Sequence, residues 1–104
     1  MKAINPYLNF NGNCREAMTF YSKAIGGELI MQSYSDAGMS KPGTEDRVIH
    51  ARLSSDGAAT VIMASDAPAD QPVTFGNNNW VCVDCDDNDE QDRMFTALSD
   101  GGMV

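Results

Sequence analysis

The residues at positions 13, 20 and 26 recur at 88, 95 and 101: an asparagine, a phenylalanine in an amphipathic stretch, and the first glycine of a Gly-Gly pair. Asn13-x-x-Glu16 has the spacing of a capping box, Phe20 takes the apolar face, and Gly26-Gly27 stops the helix. Asn88-x-x-Gln91, Phe95 and Gly101-Gly102 repeat that punctuation in the same order. A short alternating strand precedes each copy, with Leu8 and Phe10 in the first and Val81 and Val83 in the second. Such a repeat is one supersecondary unit used twice, which restricts the fold more than composition does.

Ile4 to Phe10 alternates, with Ile4, Leu8 and Phe10 toward the helix and Asn5, Tyr7 and Asn9 away from it. The helix runs from Cys14 to Ile25, with Ala17, Phe20, Tyr21, Ala24 and Ile25 as its apolar stripe. A second strand follows over Glu28 to Tyr34, then a Gly-, Ser-, Pro- and Asp-rich loop from Ser35 to Asp46. Arg47 to Ser54 alternates again, Ile49, Ala51 and Leu53 facing the helix and Val48, His50 and Arg52 the other side. Asp56-Gly57 reads as a hairpin turn before a fourth strand, Ala59 to Ser65. The chain is therefore expected to be a single α+β domain over 1–104. It divides into a βαβββ module over 1–66, a connection over 67–79, and the start of a second, incomplete module over 80–104. That second module is expected as a strand at Trp80 to Asp84 and a helix at Asp89 to Ser99 with Met94, Phe95 and Leu98 as its stripe.

A length of 104 residues leaves no room for a separate catalytic domain. The formal charge of −8 and the absence of a Lys/Arg cluster argue against nucleic acid and membrane surfaces as partners. The beginning of the chain has no apolar run of signal-peptide length, and three cysteines favour a reducing compartment, so a cytoplasmic location is expected. The acidic run from Asp84 to Asp92 suits a helix start. As a calcium loop it fails, because the sixth and twelfth positions hold Asp89 and Phe95 rather than glycine and glutamate. Cys82-Val-Asp-Cys85 has redox-motif spacing, but within a strand the two thiols would point to opposite faces, so packing cysteines are expected.

The ordered wording NPYLNFNGNCREAMTFYSKAIGGEL, RVIHARL and IMASDAP resembles the PhnB-like branch of the vicinal oxygen chelate superfamily. That superfamily includes glyoxalase I, bleomycin-resistance proteins, fosfomycin-resistance enzymes and ring-cleaving dioxygenases, and members of the branch have also carried a demethylubiquinone methyltransferase label. The resemblance implies paired βαβββ modules in the glyoxalase/bleomycin-resistance fold, forming a cleft where His, Gln or Glu side chains hold a divalent metal.

The cleft sides of the first strands here offer Asn5, Tyr7 and Asn9, and Trp80, Cys82 and Asp84, while the fourth strand shows Val61, Met63 and Ser65. A metal triad of the implied kind is not visible, so no metal ligand is assigned and a divalent metal would need ligands outside the chain. His50, the single histidine, reads either as a cavity-wall residue bonded to a neighbour or as a general base or solitary ligand. Arg52 could clamp an anion or pair with Glu28 or Glu45. Tyr7, Met63 and Trp80 are candidates for an apolar ligand wall, and Asn9 for an orienting hydrogen bond. The expected function is small-molecule binding by a homodimer, with Tyr7, Asn9, His50, Arg52, Met63 and Trp80 as the ligand site and no catalytic residue assigned. A metal-dependent isomerase, lyase or oxygenase is the alternative.

Overall fold

A computed structural model describes residues 1–55 and 59–102. Its elements are β1 (Tyr7–Phe10), α1 (Cys14–Ile25), β2 (Glu28–Ser33), β3 (Val48–Ser54), β4 (Thr60–Asp66) and α2 (Asn88–Ser99). The four strands form one sheet in the order β1-β4-β3-β2. β1 runs parallel to β4, and β3 is antiparallel to both β4 and β2. The α+β βαβββ architecture expected from the sequence is present. The Asp56-Gly57 turn lies outside the described residues.

One face of the sheet buries itself against α1. Cys14 and Met18 of α1 join Val48, Ala51 and Leu53 of β3 and Ile62 and Ala64 of β4 in one cluster, with Leu8, Phe10, Tyr21 and Met31 packed around it. Met18 and Leu53 are among the largest fully buried side chains, each contributing about 1.5–3 kcal/mol of transfer free energy. Cys14 and Met18 are one helical turn apart and displace Phe20 from the expected stripe. Phe20 packs edge-on against Tyr21 instead, with ring centroids 5.8 Å apart.

Three strand expectations change for identifiable reasons. β1 starts at Tyr7 because Pro6 has no N–H to donate. The Pro6 carbonyl still accepts from the Met63 amide at 3.1 Å, but Ile4 lies outside the ladder and is 84% exposed. In β3 the register moves from Gln32 opposite His50 to Ser33 opposite Val48, leaving Ile49 unopposed. This bulge resets the alternation, so Val48 rather than Ile49 enters the core. Trp80 to Asp84 forms no strand: these residues have no ladder partner among the described residues, and Trp80, Val81 and Val83 are exposed. The predicted start of the second module is thus represented by its helix. α2 lies against α1, with Met94 buried and Phe95, expected in the stripe, 59% exposed.

Asp66, at the end of β4, ties the layers together. It is 2% exposed, and its Oδ1 accepts from the Gly12 and Cys14 amides at 2.8 and 3.0 Å while Oδ2 accepts from the Val48 amide at 2.9 Å. α1 is therefore capped across the fold and not by its own Asn13, whose side chain makes no capping bond. A carboxylate among amide donors at a helix N-terminus also meets the positive end of the helix dipole. The Asp66 carbonyl accepts from the Tyr34 hydroxyl at 2.8 Å. In α2 the box lies one residue earlier than expected: Asp87 accepts from the Glu90 amide at 2.8 Å, and Glu90 reaches back to the Asp86 amide at 3.4 Å.

At the end of α1, Gly27 has φ +94° and its Cα faces the Ser54 carbonyl so closely that any β-carbon would collide with it. Gly26 also has positive φ, but open space beside it. The Gly-Gly stop thus combines one conformational requirement with one steric requirement.

Candidate functional site

Alternation sends every second strand residue to the sheet face that α1 leaves open. In register across that face stand Tyr7 of β1, Met63 of β4, Arg52 of β3 and Ile30 of β2. A second row holds Asn9 opposite Ser65, and His50 opposite Gln32. The Ser65 hydroxyl donates to Asn9 Oδ1 at 3.0 Å. The Tyr7 hydroxyl lies 3.4 Å from His50 Nδ1, long for such a bond, with the rings tilted at 40°. Five of the six residues singled out from sequence therefore share this open face, and Tyr7 joins its two rows.

The sixth, Trp80, stands elsewhere. It flanks a groove of ≈ 710 Å³ bounded by β1, by Tyr21 of α1 and by the connection from Phe75 to Cys82. Tyr7 and Asn9 line it too, whereas His50, Arg52 and Met63 do not. The separation follows from topology: β3 is two strands from β1, roughly 10 Å at the usual spacing. Arg52 and Trp80, expected together in one ligand site, therefore do not line a common groove.

The groove gathers most of the chain's aromatic residues. Tyr7, Phe10, Tyr21, Phe75 and Trp80 all line it, out of one Trp, three Tyr and four Phe in the chain. Asn9 and Asn79 add amide groups. The wall opposite β1 is thin: Trp80 is 92% exposed, its indole N–H donating to the Asn77 carbonyl at 3.2 Å. Phe75, Phe10 and Tyr21 were not legible as site residues. The available signal was Phe75, a lone aromatic in a polar connection; Phe10 and Tyr21 read as core.

The thiols differ in environment. Cys14 is buried, and that burial, reinforced by the Asp66 charge and opposed by Arg15, raises its thiol from 9.0 to about 12. Cys82 is exposed and lines the aromatic groove. Cys85 is raised by burial and by the neighbouring carboxylates of Glu90, Asp84 and Asp86. The pair does not lie in a strand, which removes the opposite-face argument, yet the raised Cys85 lacks the activation that redox dithiols require.

Among the described residues no group of three or more His, Cys, Asp and Glu side chains could hold a metal ion. His50 stands among Tyr, Asn, Gln and Ser, so the donors present among the described residues do not fit the divalent metal implied by the superfamily resemblance. No described helix is long and apolar enough to cross a membrane.

Residues 2–104 match the family described as 3-demethylubiquinone-9 3-methyltransferase. Protein YjdN of Escherichia coli K12 is 28% identical over 115 residues, covering 97% of this chain and 75% of that protein. Protein PA1353 of Pseudomonas aeruginosa superposes with a TM-score of 0.83 at 35% identity, over 97% of this chain and 74% of its own. The PhnB protein of Bacillus cereus superposes with a TM-score of 0.71 at 29% identity, over 94% and 74% respectively. The chain thus spans about three quarters of each of these relatives, and all three likenesses run across nearly its whole length.

Proposed function

This chain belongs to the 3-demethylubiquinone-9 3-methyltransferase family, and on that premise we propose that it is a PhnB-like small-molecule-binding protein of the glyoxalase/bleomycin-resistance type whose ligand is a planar aromatic. One observation carries the reading: five aromatic residues border a single groove whose polar contribution includes two asparagines. Flat rings stack on such walls in offset or edge-on geometry, each pair worth about 0.5–1.5 kcal/mol beyond area burial. The Asn9 oxygen already accepts from Ser65, which leaves its amide N–H groups to orient a ligand carbonyl or hydroxyl. A ring-bearing quinol of the kind in the family description has this chemistry. The proposal takes from that description the shape of the ligand and not the transfer reaction.

The test uses the single tryptophan as reporter. Titration with neutral aromatics, the flat-ringed amine N-phenyl-1-naphthylamine first and fused planar rings after it, is expected to quench Trp80 emission saturably and to light the dye by energy transfer. Tyr7→Ala should weaken the response about ten-fold, by removing one stacking wall. Arg52→Ala should leave it unchanged, because Arg52 does not line the groove. Failure of every planar aromatic to change Trp80 emission saturably would reject the reading.

A further inference from the structure

The groove has two walls of different construction. One is β1 with Tyr21 of α1, held by the sheet and the core. The other is the connection carrying Phe75, Asn79 and Trp80, which pairs with no strand among the described residues. Something must hold that wall at a ligand's width from β1.

Asn11, immediately after β1, makes the tie. Its Oδ1 accepts from the Val73 amide at 2.8 Å, and its Nδ2 donates to the Val73 carbonyl at 2.9 Å. This two-way exchange is what one residue of a neighbouring antiparallel strand would offer. A side-chain amide thus stands in for a strand backbone and fixes both the distance and the rotation of the connection. Among the described residues no other hydrogen bond joins residues 72–86 to the sheet or to α1. Phe75 lies two residues beyond this anchor, and Trp80 seven.

We propose that Asn11 is a positioning residue for the aromatic groove: through its paired bonds to Val73 it sets where Phe75 and Trp80 stand relative to β1. The proposal rests on the groove being the ligand site. It explains why the chemistry must be an amide. Aspartate at this position could accept from the Val73 amide but would turn a second oxygen toward the Val73 carbonyl, losing one bond and adding repulsion.

Asn11→Ala and Asn11→Asp are the test variants, with time-resolved Trp80 anisotropy of the ligand-free protein and titration with N-phenyl-1-naphthylamine as readouts. Asn11 is exposed, so both variants should keep the parent far-UV spectrum and melt cooperatively. The nanosecond segmental component of Trp80 should at least double in amplitude, and dye affinity should fall about ten-fold, as expected for two lost hydrogen bonds. Asn11→Gln, which keeps donor and acceptor, should recover part of both. Unchanged Trp80 motion in Asn11→Ala overturns the tether. Loosened Trp80 with undiminished dye affinity overturns the positioning role. A parent protein that never takes up the dye, while Asn11→Ala still loosens Trp80, overturns the groove as ligand site and leaves the tether standing.

Discussion

Replacing Asp66 by asparagine should be among the most damaging near-isosteric changes available to this chain. The carboxylate accepts three backbone N–H bonds at 2.8 to 3.0 Å from Gly12, Cys14 and Val48 and is almost wholly buried. A carboxamide has one acceptor oxygen. If that oxygen stays on Gly12 and Cys14, the amide nitrogen turns a donor toward the Val48 N–H; if it turns to Val48, two donors at the start of α1 lose their acceptor. Each buried donor left unsatisfied costs about 1–3 kcal/mol, and the surviving bonds lose their charge assistance. The expected loss is ~3 kcal/mol for Asp66→Asn. Asp66→Ala orphans all three donors and should cost more, relieved in part by water entering the vacated volume. Against a total stability of about 5–15 kcal/mol such losses are large. Urea unfolding followed by far-UV circular dichroism measures them, because the midpoint should fall without a change in slope. An Asp66→Asn protein within ~0.5 kcal/mol of the parent would refute the idea that one side chain holds β4, α1 and β3 together.

Gly27→Ala should destabilise by more than ~2 kcal/mol, while Gly26→Ala costs ~1 kcal/mol, since both have positive φ but only Gly27 abuts the Ser54 carbonyl; equal losses in parallel urea melts would contradict the steric argument. Thiol titration of the native protein should find Cys82 reacting at once and Cys14 only on unfolding; a fast-reacting Cys14 would contradict its burial. Because the folded Cys14 thiol is raised to about 12 from 9.0, its contribution to stability is complete below pH 9 and declines as pH rises toward 12. Cys14→Ala should remove that part of the alkaline loss. The exposed Phe95 beside Val83 and Leu98 should support a two-fold dimer at micromolar concentration, weakened by Phe95→Asp; sedimentation showing only monomer would reject it.

Local signals carried much of the architecture. α1 begins and ends where its periodicity and Gly-Gly stop place it. β2, β3 and β4 fall within one residue of their expected stretches, because apolar runs, the alternation of β3 and the turns that bound each strand are properties of neighbours in sequence. What escaped was long-range. The cap of α1 comes from Asp66, far along the chain, and its cross-fold bonds leave no trace beside Asn13. The bulge at Ile49 depends on how β3 meets β2, so the alternation was read one residue out of phase at Val48. The candidate site divided for the same reason. Tyr7, His50, Arg52 and Met63 could be assigned to one sheet face by alternation, but the strand order that distances Arg52 from Trp80 is not written in any single segment. Phe10 and Tyr21 serve the core and the groove together, and a sequence pattern records only the first role.

The parallel pairing of β1 with β4 has a consequence for the order in which the molecule assembles. Tyr7 meets Met63 and Phe10 meets Asp66, so the first strand waits for the last strand of its sheet to exist. β2, β3 and β4 are joined antiparallel in sequence and can zip locally, whereas seating β1 closes a loop of more than fifty residues and carries a larger entropic cost. During synthesis the opening strand must emerge and idle until β4 follows it. One wall of the aromatic groove is β1 itself, so the groove completes at the closing step of folding, and a molecule that can bind there is one whose sheet has already closed.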